Sequence, residues 1–419
     1  MVHIFRFAGV RPRESEAPRI AAVPYDVVTT EEAAACIHDN GLSFLRISRP
    51  DALLPDLPPT DDEVYRTGSR NFQEFLAKGL MVRDGEPSMY IYRVSAPGQT
   101  YIGLCCGLDV QDYEKEVIRR HELTRYDKEE DRTRHIDAVN AHTGPVVLLY
   151  RDANGGQACL EALIADMVPV AEVAWEGDTL HQVFHISDPA ALSRLEALFD
   201  PVERLYIADG HHRAKSAVNV SKKRKEEGRW CGECDHFMGV LFAHDGVKIH
   251  GYSRLVTDLG GYAPWAFMAR VRDRFEVRPC GKVDACGFHI PPIPEHARGY
   301  HVIHMYLAGE WYECSRPVSP GEGPIENLDV SVLQREVLTP LLFITDPRGD
   351  PRLQYLGGAR PLADLEEMVD QGEYEVAFAM QPVKVETVLE IADKGGIMPP
   401  KSTWFEPKLL SGLVVHTLD

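Results

Sequence analysis

The stretch RLYIADGHHRAKSAVNVSKK, residues 204–223, sets the strongest local constraint on how this 419-residue chain folds. Residues 205–208 form an apolar, strand-like run, whereas the residues after Gly210 continue as a helix. Gly210 falls where the chain changes direction and permits a backbone that other residues disfavour. The segment therefore predicts a strand-to-helix turn, at which the free N–H groups and the positive end of the helix dipole converge. His211, His212 and Arg213 add donors and positive charge there, making an anion site, most naturally for phosphate. Asp209 opposes anion binding unless it holds Mg²⁺, orients an imidazole or takes a proton from a hydroxyl. A helix cap explains Asp209 but not its three polar neighbours. An acid beside a phosphate-binding turn suits phosphoryl transfer, where catalysis is mostly positioning and charge stabilisation.

The rest of the composition narrows the class. The length calls for two or three domains, and 44% hydrophobic with 26% charged residues is the balance of a globular protein. Lys+Arg 45 against Asp+Glu 64 gives a net charge of -19, which disfavours nucleic acid and anionic membranes as partners. Neither a secretory leader nor a long apolar run is evident, so a cytoplasmic protein is expected. Nine scattered cysteines read as reduced thiols. Cys231 and Cys234 alone have ligand spacing; a zinc site would need His236, Cys280 or Cys286, which do not repeat it.

Periodicity predicts mixed α and β structure. A helix capped by Thr29 or Thr30 is followed by a Pro-rich stretch at 50–59 and an amphipathic helix over 62–79. A hairpin turns at APGQ, a long polar helix spans about 114–140, and strands follow at PVVLLYRD, HQVFHI and RLYIAD. Further strands are FMGVLFAH, VKIHGYSRLV, YHVIHMYL and EWYECS, with helices near 264–274, 328–339 and 361–371. Three regions are expected: 1–150, 151–260 and 261–419.

Other polar clusters stand out. If 119–145 is one continuous helix, then His121, Thr124, Asp131, His135 and His142 fall within roughly 80° of arc. A solvated helix laced with acid–arginine pairs is the plain alternative, but solvation needs no histidines. In MPPKSTWFEPKLLSGL, Lys401, Ser402 and Lys408 offer phosphate or carboxylate contacts, or the loop is simply pinned by Trp404 and Phe405. VPYDVVTTEE places Tyr25 and Asp26 just before a helix. Common nucleotide-loop, hydrolase and zinc-protease motifs are missing.

The segments AVPYDVV, RRHELTRYDKEEDRTRHI, LYIADGHHRAKSA and MPPKSTWFEPKLLSGL, in this order, resemble a widespread bacterial and archaeal family known as a domain of unknown function, numbered ten-fifteen. The DGHHR turn is also similar to that of the free serine kinases of the ParB/sulfiredoxin-like superfamily. That likeness implies an α+β fold of mixed sheets, with a ParB/sulfiredoxin-like phosphate-binding core embedded between N- and C-terminal α+β regions. It implies nucleotide phosphates at Gly210, His211, His212 and Arg213, with Asp209 at the catalytic centre beside His211. Those kinases use an upstream acid as base, for which chemistry alone suggests Asp26 or Glu122. Arg254 is retained in IHGYSRLV, although Ser253 replaces the usual neighbour.

The expected activity is a small-molecule kinase acting on a hydroxy amino acid such as free L-serine, with ATP or ADP and Mg²⁺ at Asp209 and Asp131. His121, Thr124, Arg132, His135, Arg254, Lys401, Ser402 and Lys408 are the candidate substrate contacts. The alternatives are a nucleotide-dependent regulatory protein without kinase activity and a metal-dependent phosphohydrolase. An oligomer is compatible with any of these.

Overall fold

The computed structural model describes residues 1–280, 299–358 and 360–419. Where three consecutive regions were expected, the chain forms two compact units: Met1–Val247 with Pro407–Asp419, and Lys248–Glu406. Residues 407–419 join the first unit through backbone pairing. The Val415 N–H donates to the Val10 carbonyl at 2.8 Å and the Ser411 N–H to the Ala22 carbonyl at 2.8 Å. His416–Thr417 pairs antiparallel with Ala141–His142.

The first unit is built on a nine-stranded sheet. In chain order its strands are β1 Ile4–Phe5, β2 Met89–Ala96, β3 Gln99–Asp109, β4 Ile118–Arg119 and β5 Val146–Tyr150. They continue with β6 Ala171–Trp175, β7 Thr179–Ile186, β8 Leu205–Asp209 and β9 His236–Ala243. The spatial order is β4-β8-β5-β9-β3-β2-β7-β6, with β1 beside β3. The APGQ hairpin joins β2 to β3, where Ala96 faces Gln99 and Gly98 takes φ 75°. β5, sequence VVLLY, is buried along its whole length, as an all-apolar central strand requires. Its Leu148 packs in one core with Leu104, Phe184, Leu205 and Leu241.

Four helices matter for the site. They are α1 Thr30–Asp39, α2 Asp62–Ala77, α3 Tyr126–Val139 and α4 His211–Glu226. Thr29 is the N-cap of α1 and forms a capping box with Glu32. α3 and α4 are tied together: the Ser216 hydroxyl donates to the Glu129 carbonyl at 3.0 Å and Arg224 to Asp137 at 2.9 Å.

The polar stretch 119–145 is not one helix. Residues 118–119 pair parallel with β8, and α3 starts only at Tyr126. It ends where Asn140 adopts the left-handed conformation, φ 59° and ψ 35°. The proposed arc of His121, Thr124, Asp131, His135 and His142 therefore dissolves: His121 and Thr124 precede the helix, and His142 lies in a strand.

The second unit is a six-stranded antiparallel sheet, in the order Glu276–Pro279, Glu310–Pro317, Tyr300–Leu307, Val376–Met380, Ser253–Val256, Leu353–Leu356. Leu255, Trp311, Leu362, Leu365 and Ala377 belong to its core. The expected single strand at 247–256 is split into Lys248–His250 and Ser253–Val256. At the break, a Cβ on Gly251 would lie 2.2 Å from the Met380 carbonyl oxygen. Among the described residues no helix is long and apolar enough to cross a membrane.

Leu148→Ala is expected to cost about 3 kcal/mol, the loss for a buried leucine in a rigid core. Urea unfolding followed at β-sheet wavelengths measures it; a loss under about 1 kcal/mol would mean the strand is not packed as described.

Candidate functional site

The strand-to-helix turn forms as the local sequence dictates. β8 ends at Asp209 after a register shift between Ile207 and Asp209, and Gly210 turns the chain at φ 94° and ψ 28°. A Cβ there would stand 3.0 Å from Arg213 Nε, so the position needs glycine twice over. The first intrahelical bond runs from the Ala214 N–H to the Gly210 carbonyl at 3.0 Å. The amides of His211, His212 and Arg213 consequently have no intrahelical acceptor.

Asp209 anchors the turn. Lys408 Nζ donates to its Oδ2 at 3.2 Å, and Arg213 Nη2 lies 3.4 Å from the same oxygen. Burial raises the carboxyl pKa, but the charges of Lys408 and Arg213 outweigh it and hold Asp209 below the usual carboxylate range. Asp209 is thus a fixed anion and a weak base.

The histidines of the motif are neutral. His211 is buried, edge-on to His121 with ring centres 4.6 Å apart and 3.8 Å from the Glu122 carboxylate. Burial, reinforced by His121, drives the His211 pKa well down, and burial brings His121 to about 4. His211 Nε2 has no hydrogen-bond partner among the described residues. His212 Nε2 accepts the Arg125 N–H at 3.0 Å, which fixes that nitrogen as unprotonated.

Arg213 links the turn to a pocket. Its Nη1 donates to the Pro145 carbonyl, and its side chain lines a cleft with Pro24, Tyr25, Arg132, His135, His142, Thr143, Gly144 and Ser411. These residues come from five separated stretches of the first unit. Arg132 lies 4.2 Å over the Tyr25 ring and is held by Asp131 at 2.7 Å. His135 donates to the Ile47 carbonyl at 2.8 Å and burial lowers its pKa to about 4. Burial, assisted by His416, brings His142 to about 3. Tyr25 is pushed up to about 12 by burial, with the Asp26 charge adding to it, so its hydroxyl stays protonated.

The remaining candidates sit elsewhere. Asp26 is exposed, and its charge reaches Tyr25, His212 and Arg213. The Thr124 hydroxyl donates to the Glu129 carboxylate. Asp131 accepts from the Tyr65 hydroxyl at 2.9 Å and from Arg132, and Asp209 Oδ2 faces two cations. Among the described residues no group of three or more His, Cys, Asp or Glu is arranged to hold a metal. Arg254, Lys401 and Ser402 belong to the second unit. There Arg254 donates to the Tyr252 and Lys401 carbonyls, Lys401 Nζ lies 5.3 Å over the Tyr252 ring, and the Ser402 hydroxyl donates to the Pro399 carbonyl at 2.7 Å. Cys231 and Cys234 face each other, with the Cys231 thiol donating to the Leu418 carbonyl at 2.6 Å. Cys286 lies outside the described residues.

Motif reading missed Thr143, Gly144 and Ser411. Their signals are the turn residues of HTGP and SGL, which lie at the ends of motifs already singled out for their charges.

Fold and site together define a mixed α+β protein with a strand-to-helix turn at which an acid is paired with two cations. The chain belongs to the family described as Protein of unknown function (DUF1015), which matches residues 4–331. No curated protein matches it. Similar solved structures include a free serine kinase in complex with AMP, at 13% identity and TM-score 0.37, covering 74% of this chain and 90% of that one. A conserved hypothetical protein from Pyrococcus furiosus has 14% identity and TM-score 0.35, covering 74% and 94%. SbnI with a C-terminal truncation, from Staphylococcus aureus, has 12% identity and TM-score 0.37, covering 73% and 85%. No residue or role transfers at that distance.

The buried neutral histidines predict acid sensitivity. His121, His135 and His142 titrate near 6.5 when unfolded but near 4, 4 and 3 when folded, so between these values only the unfolded state takes up the protons. Stability is therefore lost as pH falls from 6.5 towards 4, by up to about 2 kcal/mol per histidine at pH 5. Urea midpoints at pH 7.5 and 5.0 should show a large drop; an unchanged midpoint would contradict neutral burial.

Proposed function

We propose that the chain is a small-molecule kinase, transferring a phosphoryl group from ATP or ADP to the hydroxyl of a hydroxy amino acid such as free L-serine. The observation that carries this reading is the turn at Asp209–Arg213. Three amides at the start of α4 have no intrahelical acceptor, and at the same turn Asp209 pairs with both Lys408 and Arg213. That arrangement suits a phosphate group, since the amides and the helix dipole supply preformed donors.

In the proposed reaction the acceptor oxygen attacks the terminal phosphorus, and the bond from that phosphorus to the nucleotide's bridging oxygen breaks. ADP or AMP leaves, and the acceptor becomes a phosphomonoester. The hydroxyl proton passes to a carboxylate, for which exposed Asp26 is the preferred base, because its charge acts on both Arg213 and His212. Glu122, which faces His211, is the second candidate. Lys408 and the amides of the turn would stabilise charge on the transferred group, while Asp209 positions Lys408 and Arg213 rather than accepting the proton.

Turnover with ATP and with ADP, read by phosphorus NMR and mass spectrometry of the product, tests the reading. Phosphoserine or a related phosphomonoester is expected. Asp26→Asn should lower kcat by roughly 100-fold or more while nucleotide binding persists. Nucleotide binding without any phosphomonoester, across a panel of hydroxy acids, would instead leave a regulatory protein.

A further inference from the structure

We propose that the cleft between Arg132 and Arg213 holds the carboxylate of the acceptor, so that the substrates of this site are hydroxy acids with a free carboxyl group. The inference rests on the phosphoryl-transfer reading and names the part of the acceptor that is recognised.

The charge pattern of the lining carries it. Two guanidinium groups reach the cleft from different helices, α3 and α4, and no carboxylate lines it. The remaining polar groups include the Tyr25, Thr143 and Ser411 hydroxyls and two neutral imidazoles. Such a cleft attracts an anion and offers it hydrogen-bond donors.

Each arginine is partly neutralised from outside, Arg132 by Asp131 at 2.7 Å and Arg213 by Asp209 at 3.4 Å. The charge left over matches a singly charged carboxylate better than a doubly charged phosphate. Of the Arg213 donors, Nη1 faces the Pro145 carbonyl and Nη2 faces Asp209, whereas the buried Nε makes no hydrogen bond among the described residues. Gly144 keeps the space open: a Cβ there would sit 3.6 Å from Arg213 Nη1 and 3.8 Å from Ser411 Oγ, in the gap between them.

Arg213 thus faces both ways. Its backbone starts the helix at the turn, and its side chain both pairs with Asp209 and lines the cleft, so a carboxylate gripped there is held next to the turn that would take the phosphoryl group. Lys401 and Lys408, read from the sequence as contacts for a carboxylate or a phosphate, are not among the residues that line this cleft: Lys408 pairs with Asp209, and Lys401 lies over Tyr252 in the second unit.

Gly144→Ala is the main test. It fills the gap without touching any charge, and its ordinary contacts predict a folded protein. Thermal shift and calorimetry would be run without nucleotide, using L-serine, L-homoserine, L-lactate, glycolate, L-serine methyl ester and inorganic phosphate at matched ionic strength. At least one carboxylate should bind the wild type, the ester should not, and Gly144→Ala should weaken that binding tenfold or more. In turnover the variant should raise the acceptor KM and leave the nucleotide KM unchanged. Arg132→Gln, checked for folding by circular dichroism, should act in the same direction. Binding of phosphate alone, of the ester as tightly as the acid, of none of the probes, or of a carboxylate equally in wild type and Gly144→Ala overturns the assignment. Carboxylate binding that depends on Gly144, without phosphoryl transfer, sustains the cleft and sinks only the kinase reading.

Discussion

Everything at the site depends on one partly buried carboxylate. Asp209 stands at the end of a sheet strand, and it is joined to Arg213, one turn into the next helix, and to Lys408, far along the chain. A carboxylate moved out of water is costly unless cations and donors replace the lost hydration. Here both cations converge on one oxygen, so satisfying the acid also fixes the strand end, the helix start and residues 407–419. Loss of any partner would leave charge uncompensated on the others.

Around this centre, charge and neutrality are sorted. The arginines keep their charge because each has an acid, whereas His121, His135, His142 and His211 are stripped of theirs by burial. Neutral imidazoles next to guanidinium groups avoid piling up like charges while still offering a ring nitrogen. A chain with a net charge of -19 thus lines this cleft with two arginines and no carboxylate.

The strand, glycine and helix of the central turn were legible in the sequence because each choice there is local: an apolar run, one residue able to take φ 94°, then a helical stretch. The hairpin at Gly98 and the cap at Thr29 were legible for the same reason. The long polar helix was misread because charge density hides what ends a helix, in this case the pairing of residues 118–119 with β8 and the left-handed Asn140. The cleft was only half visible: Arg132 and His135 stand out as polar residues, but Gly144 and Ser411 acquire meaning only when distant segments meet. A neighbouring arginine and a tyrosine from α2 donate to the two oxygens of Asp131, partners that spacing alone does not reveal.

The route of the chain through the two units has a consequence for biosynthesis. The first and last strands of the second unit, Lys248–His250 and Trp404–Glu406, pair antiparallel with each other. Once that unit has folded, the long excursion between residues 247 and 407 behaves as a short loop, and the entropy of bringing its ends together has already been met. On a translating ribosome, β8 and α4 emerge well before Lys408, so Asp209 waits with Arg213 as its cation until residues 407–419 are made. The site is therefore completed late, and a nascent chain stalled inside the second unit carries the Asp209–Arg213 turn without its lysine.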